Sequence, residues 1–104
     1  MARKKNNIFI IFEPTCPNYE ATCARVEKVI KELGLRIEPI LINREAPDAP
    51  AFASHFGSPT VLINGQDIDP VDSDGGCRIY TDAQGKQSGI PSEDLIRSAL
   101  LALK

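Results

Sequence analysis

The chain has 104 residues and a formal net charge of −2, from 12 Lys and Arg against 14 Asp and Glu. That length holds one compact domain, residues 1–104, and leaves no room for a separate cofactor domain. The charge balance excludes a strongly basic nucleic-acid binder, and no apolar run approaches the ~18 residues of a membrane span.

Residues 1–6 read as a flexible N-terminal tail whose basic run, Arg3-Lys4-Lys5, is a solvated terminus. Asn7 to Phe12 is a continuous apolar, β-branched and aromatic run. It predicts a strand buried on both faces, at the centre of a partly parallel sheet. Its apolar part, Ile8 to Phe12, is shorter than the ~7–15 residues of a signal core, and no small-residue cleavage site follows. A cytoplasmic protein is therefore expected. Glu13-Pro14-Thr15-Cys16-Pro17 breaks the strand, and Pro17 fits the first turn of a helix, where its missing N–H costs nothing. Cys23, Val26, Ile30 and Leu33 recur at helical spacing, and Gly34 is the expected stop.

Leu35 to Ile42 predicts a second strand, which Pro39 places at a sheet edge. Strand, helix and strand in succession cross over right-handed, with the two strands parallel. Asp48 is expected to cap a short helix through Phe56, with Phe52 and Phe56 on its buried face and Gly57 at its end. Thr60 to Ile63 and Gln66 to Ile68 flank Asn64-Gly65, the strongest short hairpin signal in the chain. Residues 69–90, rich in Asp, Gly and Ser, read as an irregular insertion holding one strand-like patch, Cys77 to Thr81. Ser92 with Glu93 and Asp94 opens a last helix, whose apolar face is Leu95, Ile96, Ala99, Leu100 and Leu103. The order β-α-β-α-β-β-α predicts an α/β domain. Its four-stranded mixed sheet runs in the order 2-1-3-4, with helices on both faces.

The cysteines are Cys16, Cys23 and Cys77. An odd count argues against a structural disulfide framework, and in a reducing cytosol a disulfide here is transient and chemical. A closed four-ligand zinc site would need His55 with all three, and no short C-x-x-C knuckle is present, so neither a metal nor a cofactor is expected. Asp69, Asp72 and Asp74 with Gly75 lack the spacing of a calcium loop and read as solvated. Cys16 follows a buried strand and opens a helix. Unpaired N–H groups and the positive end of the helix dipole favour thiolate there. Ligand sites of such sheets gather at the C-terminal ends of central strands. The alternative is a buried structural cysteine at a turn.

The order of elements, Cys16-Pro17-Asn18-Tyr19 at the first helix and Ser58-Pro59-Thr60 before the third strand resemble the thioredoxin/glutaredoxin superfamily. The resemblance spans roughly residues 7–68 and the last helix. More narrowly, the chain is similar to a group of small thioredoxin-like proteins with Cys-Pro-Asn-Trp/Tyr, Gly-Ser-Pro-Thr and Cys-Arg-X-Tyr segments. These are residues 16–19, 57–60 and 77–80 here, and some members carry mercury-related labels. The resemblance implies a thioredoxin-like fold, Cys16 as nucleophile, and a substrate-binding surround of Pro17, Tyr19, Ser58, Pro59 and Thr60. It also implies a cis bond before Pro59, a proline facing the reactive cysteine, and a protein or low-molecular-weight thiol or disulfide as substrate.

One departure matters most: the superfamily's second cysteine, three positions after the first, is Tyr19 here. The usual dithiol cannot form. Cys23 lies about 10 Å along the helix, beyond the ~7 Å Cα limit of a disulfide, and it sits on the apolar face. Cys77 is the better partner. The chain after Ile68 returns to the end of the sheet where Pro59 begins the third strand, and Gly75-Gly76 gives the backbone freedom to bring Cys77 close. A glutathione-dependent monothiol route is disfavoured, because Glu13 stands where glutaredoxins usually place a lysine. Its carboxylate, with Asp67, Asp69, Asp72 and Asp74, repels the substrate and disfavours a thiolate. Tyr19 and Tyr80 are expected to flank the site, as hydrogen-bond donors to the thiolate or, for Tyr19, as a shield. His55 is expected to cover the short helix rather than reach Cys16.

The expected activity is thiol–disulfide exchange by Cys16, resolved by Cys77, with Pro59 keeping the third strand's edge open for substrate backbone. Two other readings stand beside it. One is a non-catalytic binding or adaptor domain, which Tyr19 favours. The other is handling of a soft metal such as mercury or copper by Cys16 and Cys77, since paired thiolates suit soft ions.

Overall fold

The apolar run after the N-terminal tail forms β1, Ile8–Phe12, and every other part of the sheet is built around it. The computed structural model describes residues 6–70, 78–82 and 84–103. After β1 come α1 (Tyr19–Glu32), β2 (Ile40–Asn43), a 3₁₀ turn (Ala51–His55), β3 (Thr60–Ile63) and β4 (Gln66–Asp67). A two-stranded hairpin, β5 (Tyr80–Thr81) and β6 (Gln87–Ser88), precedes α2 (Glu93–Leu101). The first four strands form one mixed sheet in the order β2-β1-β3-β4. β1 is parallel to β2, with Phe9 beside Ile40, and antiparallel to β3, with Ile8 beside Ile63.

Strand alternation divides the core between the two faces of the sheet. Ile8 and Ile10 of β1 and Val61 and Ile63 of β3 face the helices and meet Val26, Val29, Ile96 and Leu100. Ile11, Leu62 and Ile42 face the other way and are covered by Ala53 of the 3₁₀ turn, with Phe9 and Phe56 at the margin. Against the expectation of helices on both faces, α1 and α2 lie on one, and the other is covered by a single short turn. The helices lie side by side and run the same way. Lys28 pairs with Glu93 and, one turn on in each helix, Glu32 pairs with Arg97, each at 2.8 Å.

Local chemistry explains the boundaries. Gly34, at φ +67°, ends α1, with the Leu35 N–H returning to the Ile30 carbonyl. Asn64 and Gly65 take φ +52° and +84°, the pair of left-handed residues that a two-residue hairpin turn needs. Ser92 caps α2 by accepting from the Leu95 N–H at 3.1 Å. β2 is an edge strand, as expected, but it begins only at Ile40, so Pro39 lies just before it. The stretch before it packs Leu35 and Ile37 on the core without pairing.

Two predicted boundaries are corrected. The helix expected from Asp48 to Phe56 is a 3₁₀ turn over Ala51–His55, because Pro50 disfavours helical φ/ψ at Ala49 and cannot donate to a preceding turn. Phe52 lies on its outer side, against Phe9 at 6.1 Å, and Ala53 is the buried residue. α1 begins at Tyr19, with Asn18 as its N-cap, so Pro17 precedes the helix rather than occupying its first turn.

Candidate functional site

Cys16 stands four residues beyond the end of β1 and two before the N-cap of α1. The turn that carries it is closed by the Cys16 N–H bonding to the Glu13 carbonyl at 2.9 Å. A second segment, Gly57 to Thr60, enters β3 opposite, because β3 runs antiparallel to β1 and starts at the same end of the sheet. Ser58 joins the two: its Oγ accepts from the Glu13 N–H at 2.9 Å, and its carbonyl faces the Cys16 thiol, Sγ to oxygen 3.8 Å. That contact uses the thiol's own proton as donor. Cys16 is only 3% exposed. The Ser58–Pro59 peptide bond is cis.

Arg78 and Tyr80 complete the surround. The Arg78 N–H donates to the same Ser58 carbonyl at 2.9 Å, and the Tyr80 hydroxyl donates to the Pro59 carbonyl. The Arg78 side chain turns inward, where Nη1 meets Asp67 Oδ2 at 2.7 Å and Thr60 Oγ1 at 3.2 Å, and Nη2 meets the Asp69 carbonyl. Its guanidinium lies 4.6 Å from the centre of the Tyr80 ring, a cation–π distance. Thr60 Oγ1 in turn donates to the Gly57 carbonyl at 2.7 Å. Gly57, Ser58 and Pro59 therefore each have their carbonyl occupied from within the chain. Burial holds the Tyr80 hydroxyl pKa well above the ordinary tyrosine range, outweighing the opposing effect of Arg78.

Of the residues expected at the site, Cys16, Ser58, Pro59 and Thr60 come together. Pro17 is exposed beside them. Tyr19 stacks its ring on Phe12, centroids 4.4 Å apart and planes 23° apart, and makes no hydrogen bond to the thiol. Cys77, Asp72, Asp74, Gly75 and Gly76 lie outside the described residues. Cys23 packs half-buried against the core between α1 and the sheet, and burial, aided by the nearby Glu27 carboxylate, raises its thiol pKa. His55 is exposed at the end of the 3₁₀ turn.

Three expectations are corrected. The edge beside Pro59 is not free of partners, since the Ser58 and Pro59 carbonyls already accept from the Arg78 N–H and the Tyr80 hydroxyl. Glu13 is not an uncompensated carboxylate at the thiol: it pairs with Arg44 Nη1, whose guanidinium also donates to the Ser54 carbonyl at 3.1 Å. Asp67, expected among the carboxylates that repel the substrate, is instead half of a buried ion pair with Arg78, side chains 8% and 2% exposed. The roles of Arg78, Asp67 and Arg44 are additions that the sequence reading did not contain. For Arg78 the signals were its place in the Cys-Arg-X-Tyr segment and the alternation Arg78-Ile79-Tyr80, which puts Arg78 and Tyr80 on one side and leaves Ile79 63% exposed on the other.

Among the described residues, no cluster of three His, Cys, Asp or Glu side chains is placed to hold a metal ion, and no helix is long and apolar enough to cross a membrane. No family model matches the chain, and neither a curated protein nor a solved structure matches it. The fold and site define a small α/β domain with a cysteine-bearing turn held against a cis-proline turn at one end of a four-stranded mixed sheet.

Proposed function

We propose that the protein is a thioredoxin-like thiol–disulfide oxidoreductase that works without a C-x-x-C motif. Cys16 is the nucleophile and Cys77 the resolving thiol. The observation that carries this reading is the place of Cys16, beyond the C-terminal end of the central strand, just before α1 and beside the Ser58–Pro59 turn that leads into β3. The thiol gives up its proton to water, and the thiolate attacks a substrate disulfide. One S–S bond breaks, a Cys16 mixed disulfide forms, and the other half of the substrate leaves as a thiol. The Cys77 thiolate then attacks Cys16 Sγ, releasing the second half as a thiol and leaving a Cys16–Cys77 disulfide, which two equivalents of a cellular thiol reduce, departing as their own disulfide. Cys77 is the chain neighbour of Arg78, whose N–H shares the Ser58 carbonyl with Cys16, and this favours it as the partner. Cys23, half-buried with a raised thiol pKa, is suited to neither role.

The near-complete burial of Cys16 favours a second reading, a binding domain without turnover. Mild oxidation, followed by non-reducing peptide mass spectrometry and thiol counting, separates the two. A dithiothreitol-reversible Cys16–Cys77 disulfide with Cys23 free is the expected result. Glutathionylation of Cys16 with Cys77 free would replace the pair with a monothiol route, and an inert Cys16 would leave the binding domain.

A further inference from the structure

Resting on that assignment of Cys16, we infer that the site takes a low-molecular-weight disulfide rather than an extended polypeptide, and that Arg78 and Tyr80 set this preference. A polypeptide laid beside a thiol at a strand end is held by main-chain hydrogen bonds to the exposed carbonyls and N–H groups of that strand. Here the acceptors that lead into β3 are already used. The Ser58 carbonyl takes the Arg78 N–H, the Pro59 carbonyl takes the Tyr80 hydroxyl, and the Gly57 carbonyl takes Thr60 Oγ1. The occupying segment is firmly held, because Arg78 is anchored by the buried Asp67 carboxylate and by Thr60. An incoming backbone would have to compete with these donors for the same oxygens, of which the Ser58 carbonyl already takes two. A small disulfide needs only the sulfur of Cys16. Cys16 as a residue is only 3% exposed, so a slender reagent reaches its sulfur at the least cost. The first exchange step is the one given above: Cys16 Sγ bonds to one substrate sulfur, and the other departs as a thiol.

The test uses the full chain carrying Cys23→Ser and Cys77→Ser, so that only Cys16 reacts. Two probes are compared: bis(2-hydroxyethyl) disulfide, and a nine-residue extended peptide whose central cysteine carries the same hydroxyethyl group as a mixed disulfide. Each rate of mixed-disulfide formation is divided by the rate of the same probe with N-acetylcysteine amide. We expect the normalised rate with the small disulfide to exceed that with the peptide by about tenfold, the worth of one or two net backbone hydrogen bonds. Tyr80→Phe, which keeps the ring and frees the Pro59 carbonyl, should raise the peptide-to-small ratio several-fold. Equal normalised rates in the parent chain, or a ratio unmoved by Tyr80→Phe, would overturn the inference while leaving Cys16 the nucleophile. A Cys16 that reacts with neither probe would remove the function assignment, and the inference with it.

Discussion

Asp67→Asn tests whether the Arg78 clamp is as buried as the structure makes it. The variant keeps the shape of the side chain and removes its charge, leaving a guanidinium enclosed at 2% side-chain exposure. Breaking a buried ion pair by removing one partner costs about 3–5 kcal/mol. Arg78 keeps Thr60 Oγ1, the Asp69 carbonyl and the Tyr80 ring as neighbours, which puts the loss at the lower end, about 3 kcal/mol. A domain of this length has about 5–15 kcal/mol in total, so the variant gives up about a fifth to three-fifths of it. Its melting temperature should fall by about 12–24 °C. Urea unfolding followed by circular dichroism gives the free energy directly. The paired variant Asp67→Leu with Arg78→Met, which removes both charges together, should recover most of the loss. A single-variant loss below about 1 kcal/mol, the range of solvent-exposed pairs, would show that water reaches the pair and would refute the clamp.

Tyr80 predicts a signature in alkali. Its folded pKa lies above its unfolded value because burial disfavours the phenolate. The stability this contributes is whole below the ordinary tyrosine pKa of ~10 and is lost as pH rises beyond it. Unfolding free energy should fall with pH above ~10, and Tyr80→Phe should flatten that slope. A parent curve as flat as the variant's would contradict the burial. Gly89 predicts a steric coupling: a Cβ there would run into the side-chain amide of Asn18. Gly89→Ala should cost about 1–2 kcal/mol, and most of that should vanish in an Asn18→Ala background. Additive losses in the double-mutant cycle would mean that the two do not touch.

The sheet was legible because its signals are local. Five apolar residues in a row named the central strand, Pro39 named the edge, and Asn64-Gly65 named the hairpin. Each needs only backbone chemistry and the alternation of side chains. Cys16 and Ser58-Pro59-Thr60 were placed together by the same logic, since an antiparallel β3 must begin where β1 ends. Arg78 was not legible, because an arginine in an Asp- and Gly-rich stretch reads as surface. Its burial depends on a carboxylate eleven positions away on another strand and on a ring two positions on. Glu13 was misread for the same reason. A charge next to a thiol is repulsive only when unpaired, and Arg44, which pairs with it, is 31 positions distant. The Asp48 helix failed on a shorter scale, since its cap was weighed without Pro50 two residues on.

The position of β1 carries a consequence for how the chain comes off the ribosome. Ile8–Phe12 is made first, yet its parallel neighbour begins at Ile40 and its antiparallel one ends at Ile63. Until those segments emerge, the most water-averse stretch of the protein has no strand to bond with, and both of its edges can pair with another nascent chain. α1, with its glycine stop, is the one element that can form in the interval. The strand that leads to Cys16 is thus left without a pairing partner until β2 emerges.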